Sequence, residues 1–395
     1  MFKKIQIMKN RIYTLILSIC LIAFLATSCN GKKDEPQVST RRTILMYLVA
    51  TNNLSSSIAS DIREVENTIQ STDMNHCRML VYITSTNQDP ILYEIKKGKR
   101  GTENSTLKTY STDIKSTTVE RMQEVIKDAI EVAPADEYGL ILGSHASGWA
   151  SSLSARSSTS LLDFGDDNGS TMPIHELAEA IPDNTFKFIY NDACYMAGIE
   201  VAYELKNKTE YFIGSTTELP IDGMDYTNNI PCFFADNVDL KKVCNNTFNK
   251  YNQLSGDKRT CTISLIDCSQ LNKLALITNE IFYLGTGTTE YYNLQKYKRN
   301  NPFLFYDFKQ YINTFSAKNN ENISKINTLI ESFNKQLDKV VLYKAATPFI
   351  FGKDYLVINS ENYSGLSTYI IGSSTSTGVN ETYYKTLSWY RDVIQ

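Results

Sequence analysis

One cysteine and one histidine each close an apolar run in the same way. Tyr138–Trp149, YGLILGSHASGW, breaks at Gly143 and presents His145, whereas Phe186–Leu205, FKFIYNDACYMAGIEVAYEL, stops at Asn191-Asp192 and presents Cys194. A thiol beside an imidazole can do nucleophilic catalysis, the imidazole taking the thiol proton and returning it to a leaving group. Either residue alone has an ordinary reading, because an isolated cysteine is more often a small buried hydrophobe than a nucleophile. Their common placement is what joins them. Each run reads as a buried strand, the second followed by a helix beginning near Tyr195. If the two strands are parallel neighbours, their carboxyl ends lie about 5 Å apart, in the crevice where open α/β sheets bind ligands. The imidazole and the amino end of that helix would both favour the thiolate over the thiol, whose unperturbed pKa is about 8.5.

The rest of the pattern is of the kind that builds such a crevice. Apolar strands are expected at Thr43–Val49, Arg78–Thr84, Tyr138–Gly143, Phe186–Tyr190 and Tyr211–Gly214, with helices near Ser55–Gln70, Thr117–Glu131, Pro173–Ala180 and Tyr195–Lys206. This alternation predicts an α/β fold, a mainly parallel sheet flanked by helices. Ile91–Tyr110 reads instead as a hairpin turning at 97–101. Beyond Asp239 the chain predicts an α+β carboxyl-terminal extension, with helices at 239–254, 269–282 and 321–339, strands at Cys261–Ile266, Val340–Lys344 and Gly365–Ile371, and a last helix at Glu381–Val393. The expected organisation is a leader at 1–28, a tether at 29–41, a catalytic core at 42–238 and an extension at 239–395 packed on the core.

The leader carries Lys3, Lys4, Lys9 and Arg11, an apolar run Ile12–Ala26, and then Leu25-Ala26-Thr27-Ser28-Cys29. A basic start, a short apolar core and small residues before a cut describe an export signal. The cysteine at the cut makes it resemble a bacterial lipoprotein signal, which implies acyl chains on Cys29 and anchoring in the cell envelope, at the outer membrane or cell surface. Removing residues 1–28 takes away four positive and no negative charges and moves the formal net charge from −3 to −7. That balance argues against a nucleic-acid partner. Residues 30–40 are polar and read as a flexible tether. Six further cysteines, Cys77, Cys194, Cys232, Cys244, Cys261 and Cys268, fit no dense disulfide framework, and with three histidines and no Cys-x-x-Cys a zinc site is not expected.

His-x-Ser-Gly-Trp after one strand and Asp-Ala-Cys-x-Met-Ala after the next resemble the clostripain-like cysteine peptidases, relatives of caspases. The opening TILMYLVATNNLSSSIASDIREVE (Thr43–Glu66), the stretch Pro173–Ala180 and Ser364–Tyr369, SGLSTY, match in the same order. The resemblance runs from about Thr43 to the end. It implies a caspase-like fold, Cys194 as nucleophile and His145 as its acid-base partner. The oxyanion would then lie against the backbone N–H groups of Cys194 and of the residue after His145. Members usually carry glycine at that second position, and here it is Ala146. If that glycine has a positive φ, alanine there would cost about 1 kcal/mol and tilt the donor.

The resemblance also implies a preference for basic side chains. It places an aspartate at Asp192, where a carboxylate at the bottom of the first specificity pocket would hold Arg or Lys; a helix-capping role is the other reading. Asp222, in ELPIDGMDY, is a looser match for the same pocket or a turn residue, with Asp225 its neighbour in competition. Arg156, the only basic residue of the loop ASSLSARSSTS, is either an ordinary surface residue or a self-processing site, since similar peptidases often mature by cuts in this interval. Asp163, Asp166, Asp167, Asn168 and Gly169 lack the spacing of an EF-hand and read as turn and cap residues, with calcium the less favoured alternative; no cofactor is otherwise expected. Two functions remain open: a lipid-anchored cysteine endopeptidase acting on proteins or peptides with basic residues, and a surface binding or scaffolding lipoprotein that keeps the fold with weakened catalysis. A glycan-binding lipoprotein draws on the 25 tyrosines, but these are scattered.

Overall fold

Nine strands form one sheet, and the alternation of apolar residues along them sorts the core into two layers. The structure, a computed structural model, describes residues 39–150, 163–298, 304–373 and 381–395; Cys29 and Arg156 lie outside these. Thr40–Gln395 is one compact unit. Its strands are β1 (Arg42–Ala50), β2 (Cys77–Ser85), β3 (Gln88–Lys97), β4 (Thr102–Thr109), β5 (Glu137–Gly143), a small hairpin β6 (Phe164–Asp167) and β7 (Ser170–Met172), then β8 (Phe186–Asp192), β9 (Thr209–Gly214), β10 (Thr262–Asp267) and β11 (Val341–Ala346). The sheet order is β11-β10-β9-β8-β5-β1-β2-β3-β4. Its middle, from β9 to β2, is parallel throughout. Antiparallel strands extend it at both edges, and the expected hairpin is β3–β4.

Along β1, Ile44, Met46 and Leu48 pack on one side with Ile58 and Val65 of α1 (Ser55–Ser71), Ile230 and Phe233 of α5 (Tyr226–Phe234) and Val243 of α6 (Leu240–Asn252). Leu45, Tyr47 and Val49 face the other side, against Met122 of α2 (Val119–Val132), Leu177 of α3 (Ile174–Ala180), Val201 of α4 (Ile199–Glu204) and Leu274 of α7 (Leu271–Leu284). The central parallel strands are therefore covered on both faces, and their functional groups emerge only at the ends. Helix starts follow the chain's caps: Thr118 accepts from the Arg121 N–H at α2, Asp225 from Asn228 at α5 and Asp239 from Lys242 at α6.

Three expectations are corrected. The helix expected from Tyr195 begins at Ile199, because Tyr195 has a φ of +59°. Its N–H and that of Ala197 donate to Thr217 and Ser215 carbonyls, so this stretch runs beside the chain leaving β9 instead of coiling. The strand expected at Gly365–Ile371 pairs only at Ser367–Thr368, with Tyr306–Asp307; Ser367 N–H is instead bonded to Ala197 O. The last helix is two short turns, Glu381–Tyr384 and Tyr390–Ile394. The helix α5 was not expected from the sequence, and Pro231 in its middle explains why.

Candidate active site

Parallel pairing of β5 with β8 puts Gly143 opposite Asp192. His145 and Cys194 each follow two residues later, so the register alone brings imidazole and thiol to the same end of the sheet. Both line a crevice of about 210 Å³, together with Asp192, residues of α1 and the loop Leu219–Gly223.

His145 is held through its neighbours. Ser144 Oγ donates to Val49 O at 2.9 Å, fixing the turn after β5 to the end of β1. The Asn52-Asn53 turn is fixed in its own way: Asn52 Nδ2 donates to Val49 O at 3.1 Å and to Asp166 O at 2.8 Å, while its Oδ1 accepts from the Leu54 N–H at 2.9 Å. The next side chain, Asn53, is thereby presented to the histidine, with Oδ1 2.6 Å from Nε2. An amide oxygen only accepts, so Nε2 carries the proton and Nδ1 is left as the basic nitrogen. Burial pulls the imidazole below its ordinary pKa, opposed by the Asp166 carboxylate. His145 is therefore neutral in the empty site. Sequence reasoning quoted this turn without assigning Asn53 a role.

Cys194 Sγ accepts from the Leu219 N–H at 3.3 Å. Burial pushes the thiol up to about 12; the Leu219 bond opposes the rise, and the charges of Glu218 and Asp192 add to it. The expected helix dipole does not act here, since α4 starts five residues on. The empty site thus holds a neutral thiol and a neutral imidazole, and no hydrogen bond joins them. The left-handed φ at Tyr195 is costly for a bulky side chain, and it turns the chain sharply just after the sulfur. Ala146 is not among the residues with positive φ, so alanine is accommodated without backbone strain. Ala146 bridges Phe164, but the bonds of that bridge run through its neighbours, Gly165 N–H to His145 O and Ser147 N–H to Asp163 O. Among the described residues no hydrogen bond engages the N–H of Ala146 or of Cys194.

The floor of the crevice is acidic. Asp192 Oδ2 accepts from Tyr226 OH at 2.9 Å and from the Met224 N–H at 3.2 Å, and burial raises its pKa against those bonds. Asp222 stands apart: it is exposed, it does not line the crevice, and its backbone oxygen receives Lys250 Nζ at 2.9 Å. Asp225 caps α5. The second carboxylate in the crevice is Asp61 of α1. It was not singled out from sequence, although it sits in the buried stripe Ile58, Asp61, Val65, Thr68, where a charge is out of place.

Asp166 and Asp167 make hydrogen bonds within the turns around them. Asp167 accepts from Thr51 Oγ1 at 2.7 Å and from the Ser116 N–H at 2.8 Å, and Asp166 from the Gly169 N–H at 2.7 Å, as turn residues do. The six described cysteines are free thiols, and Cys194 alone is not buried.

A parallel sheet that delivers a cysteine and a histidine to one crevice is matched by the family model of the clostripain family over residues 46–394. The chain belongs to the clostripain family. Among solved structures it is similar to iotapain, a secreted C11 cysteine protease from Bacteroides thetaiotaomicron, at 26% identity and a TM-score of 0.78, over 90% of this chain and 99% of that one. It is also similar to an inactive zymogen C11 protease from Parabacteroides distasonis, at 28% identity and a TM-score of 0.75, over 90% and 99% of the two chains. A third, the secreted Bacteroides thetaiotaomicron protease in complex with an irreversible peptide inhibitor, shares 27% identity with a TM-score of 0.73, over 89% and 98%. No curated protein matches. The clostripain-family fold of this chain is that of a cysteine peptidase with a caspase-like sheet. Among the described residues no helix is long and apolar enough to cross a membrane.

Proposed function

We propose that the protein is a lipid-anchored cysteine endopeptidase that cleaves after Arg or Lys, with Cys194 as nucleophile and His145 as acid and base. The observation that carries this reading is the crevice that holds Cys194, His145 and the half-buried carboxylate of Asp192 together. His145 Nδ1 takes the thiol proton as sulfur attacks the scissile carbonyl carbon. The oxyanion is received by the N–H groups of Ala146 and Cys194, which no hydrogen bond engages among the described residues. The imidazolium then gives its proton to the leaving amine, and water hydrolyses the thioester by the reverse route. Substrate seals the crevice and brings its carbonyl to the sulfur, so the neutral thiol of the empty site is deprotonated only as it reacts. The N–H of Ala146, unengaged among the described residues and held at ordinary φ, speaks against the reading as a catalytically weakened scaffold. Anchoring rests on Cys29 and the sequence around it, and places the peptidase on the bacterial envelope.

An acyloxymethyl ketone with an Arg or Lys side chain next to its warhead tests the proposal. The expected result is one adduct, on Cys194, abolished in Cys194→Ala and slowed at least a hundredfold in His145→Ala. Absence of labelling in folded wild-type protein, or equal labelling by a neutral analogue, would overturn it.

A further inference from the structure

We propose that Asp61 is a second specificity-determining carboxylate, facing Asp192 across the crevice floor so that the two together receive the cationic end of a basic side chain. This rests on the crevice being the pocket for that side chain, and it adds a residue from α1, an element outside the strands that carry the catalytic pair. Three observations lead to it. A methyl group built on Gly223 would meet Asp192 Oδ2 at 2.7 Å and both carboxylate oxygens of Asp61 at 3.3 Å, so both carboxylates flank one glycine. Asp61 is only 8% exposed, it lines the crevice, and among the described residues its carboxylate has no hydrogen bond or ion pair. The helix spends a buried position on it that an apolar residue would otherwise occupy.

The charges around this floor suit a cation. On α1 itself Glu64 is bonded to Thr227 N and Oγ1; Asp222 adds negative charge from the loop. Tyr226 of α5 donates to Asp192, and Tyr251 of α6 donates its hydroxyl to Gly223 O. Among the described residues the cation that acts on this floor is Lys250 of α6, which is bonded to the carbonyls of Asp222 and Met224 at 2.9 and 3.0 Å and forms no ion pair with either aspartate. Two buried carboxylates cannot both ionise at close quarters without a counter-charge. Burial, with the charge of Asp192 next, raises Asp61 to about 9. Asp61 is therefore protonated at neutral pH when no cation faces it, and a guanidinium or ammonium entering between the two carboxylates displaces that proton. Binding of a basic side chain is then coupled to release of a proton and tightens as pH rises, until both carboxylates are ionised in the empty pocket.

The test measures binding and kinetics in parallel. Cys194→Ala protein is titrated calorimetrically with N-acetyl-arginine amide in two buffers of different ionisation enthalpy at pH 7. The expected result is release of close to one proton per molecule bound, with affinity rising as pH is raised, and loss of both effects together with a fall in affinity of at least tenfold when Asp61→Asn is added. In the active enzyme, Asp61→Asn should raise KM for an Arg-ended fluorogenic peptide at least tenfold, flatten its pH dependence and change kcat less than threefold, while Asp61→Glu restores part of the loss. An Asp61→Asn protein that binds the amide as wild type does, or wild-type binding without proton release, would overturn the inference while leaving the pocket reading intact. If the amide does not bind at all, or Asp192→Asn leaves the preference for basic side chains unchanged, the pocket reading itself fails and takes this inference with it.

Discussion

Asn53→Ala isolates the orientation of the His145 imidazole, the proposed acid and base, from everything else in the site. Asn53 is exposed and its Oδ1 lies 2.6 Å from His145 Nε2, so its removal should leave overall stability within about 0.5 kcal/mol of wild type. The catalytic effect comes from a difference between two states. In the free enzyme the bond joins neutral partners, worth about 0.5–1.5 kcal/mol; once His145 holds the thiol proton, the same bond joins a cation to an amide oxygen, worth about 1.5–3 kcal/mol. Only the gain between the two accelerates the reaction. A gain of about 1–2 kcal/mol corresponds to a fall in kcat/KM of about five- to thirtyfold, seen in kcat with KM little changed. The acid limb of the pH profile carries a second signature, because the enzyme needs neutral His145 and the bond favours the protonated ring. Loss of the acceptor should add to the lowering that burial already causes and move that limb to lower pH, whereas Asn53→Asp should move it to higher pH. Steady-state kinetics on an Arg-ended fluorogenic peptide across pH would show both. If Asn53→Ala keeps wild-type kcat and an unmoved acid limb, the orienting role is wrong.

The other predictions concern separate parts of the molecule. Gly223→Ala combines a φ of +59° with a contact at 2.7 Å to a twice-bonded carboxylate, so it should destabilise the protein by about 1–3 kcal/mol and raise KM for Arg peptides; an unchanged denaturation midpoint together with an unchanged KM would contradict the packing described. Glu200 is wholly buried, accepts from the Tyr369 N–H at 2.8 Å and Thr368 Oγ1 at 3.0 Å, and burial raises it to about 7 from 4.5. Because the folded state then binds more protons than the unfolded one between those values, this group's contribution falls as pH rises through them, by on the order of 3 kcal/mol. Denaturant unfolding of Glu200→Gln should lack that slope, and an identical pH dependence would locate the raised pKa elsewhere. At Arg156, slow cleavage giving a new amino terminus at Ser157 is expected in wild type and absent in Cys194→Ala; intact mass would reveal a fully active chain that stays whole, which removes self-processing from the account.

The meeting of Cys194 and His145 in one crevice was legible because its information is local. Two apolar runs, each followed at the same offset by a reactive side chain, need only the commonest connection of an α/β sheet to meet. The alternation of apolar runs with helical segments likewise pointed to the parallel middle of the sheet, and the turn at 97–101 to the β3–β4 hairpin. What failed was decided by tertiary contact. Tyr195 was read as the start of a helix because nothing in its neighbours forbids one; the Thr217 carbonyl that takes its N–H comes from the chain leaving β9. Asn53 and Asp61 act on residues more than ninety positions away, and a polar turn or one aspartate in a helix says little by itself. The place of Asp61 in the stripe Ile58–Ile69 was a usable sign, because a carboxylate on an apolar face needs a reason. Asp222 shows the converse: a suitable residue in a suitable loop, exposed by a turn in which Gly223, not the aspartate, faces the crevice.

The contact of Ser367 with Ala197 also orders events in time. Their hydrogen bond spans 170 residues, and Thr368 and Tyr369 close on Glu200 just beyond. A ribosome therefore finishes the strand that bears the thiol long before it supplies the segment that braces the turn behind it. A nascent chain at that stage holds Cys194 and His145 while the segment that braces the turn behind the thiol is still missing. On the mechanism proposed above, competence to cut would arrive late in the synthesis of the polypeptide, and loss of the segment 367–369 would remove it without touching either residue.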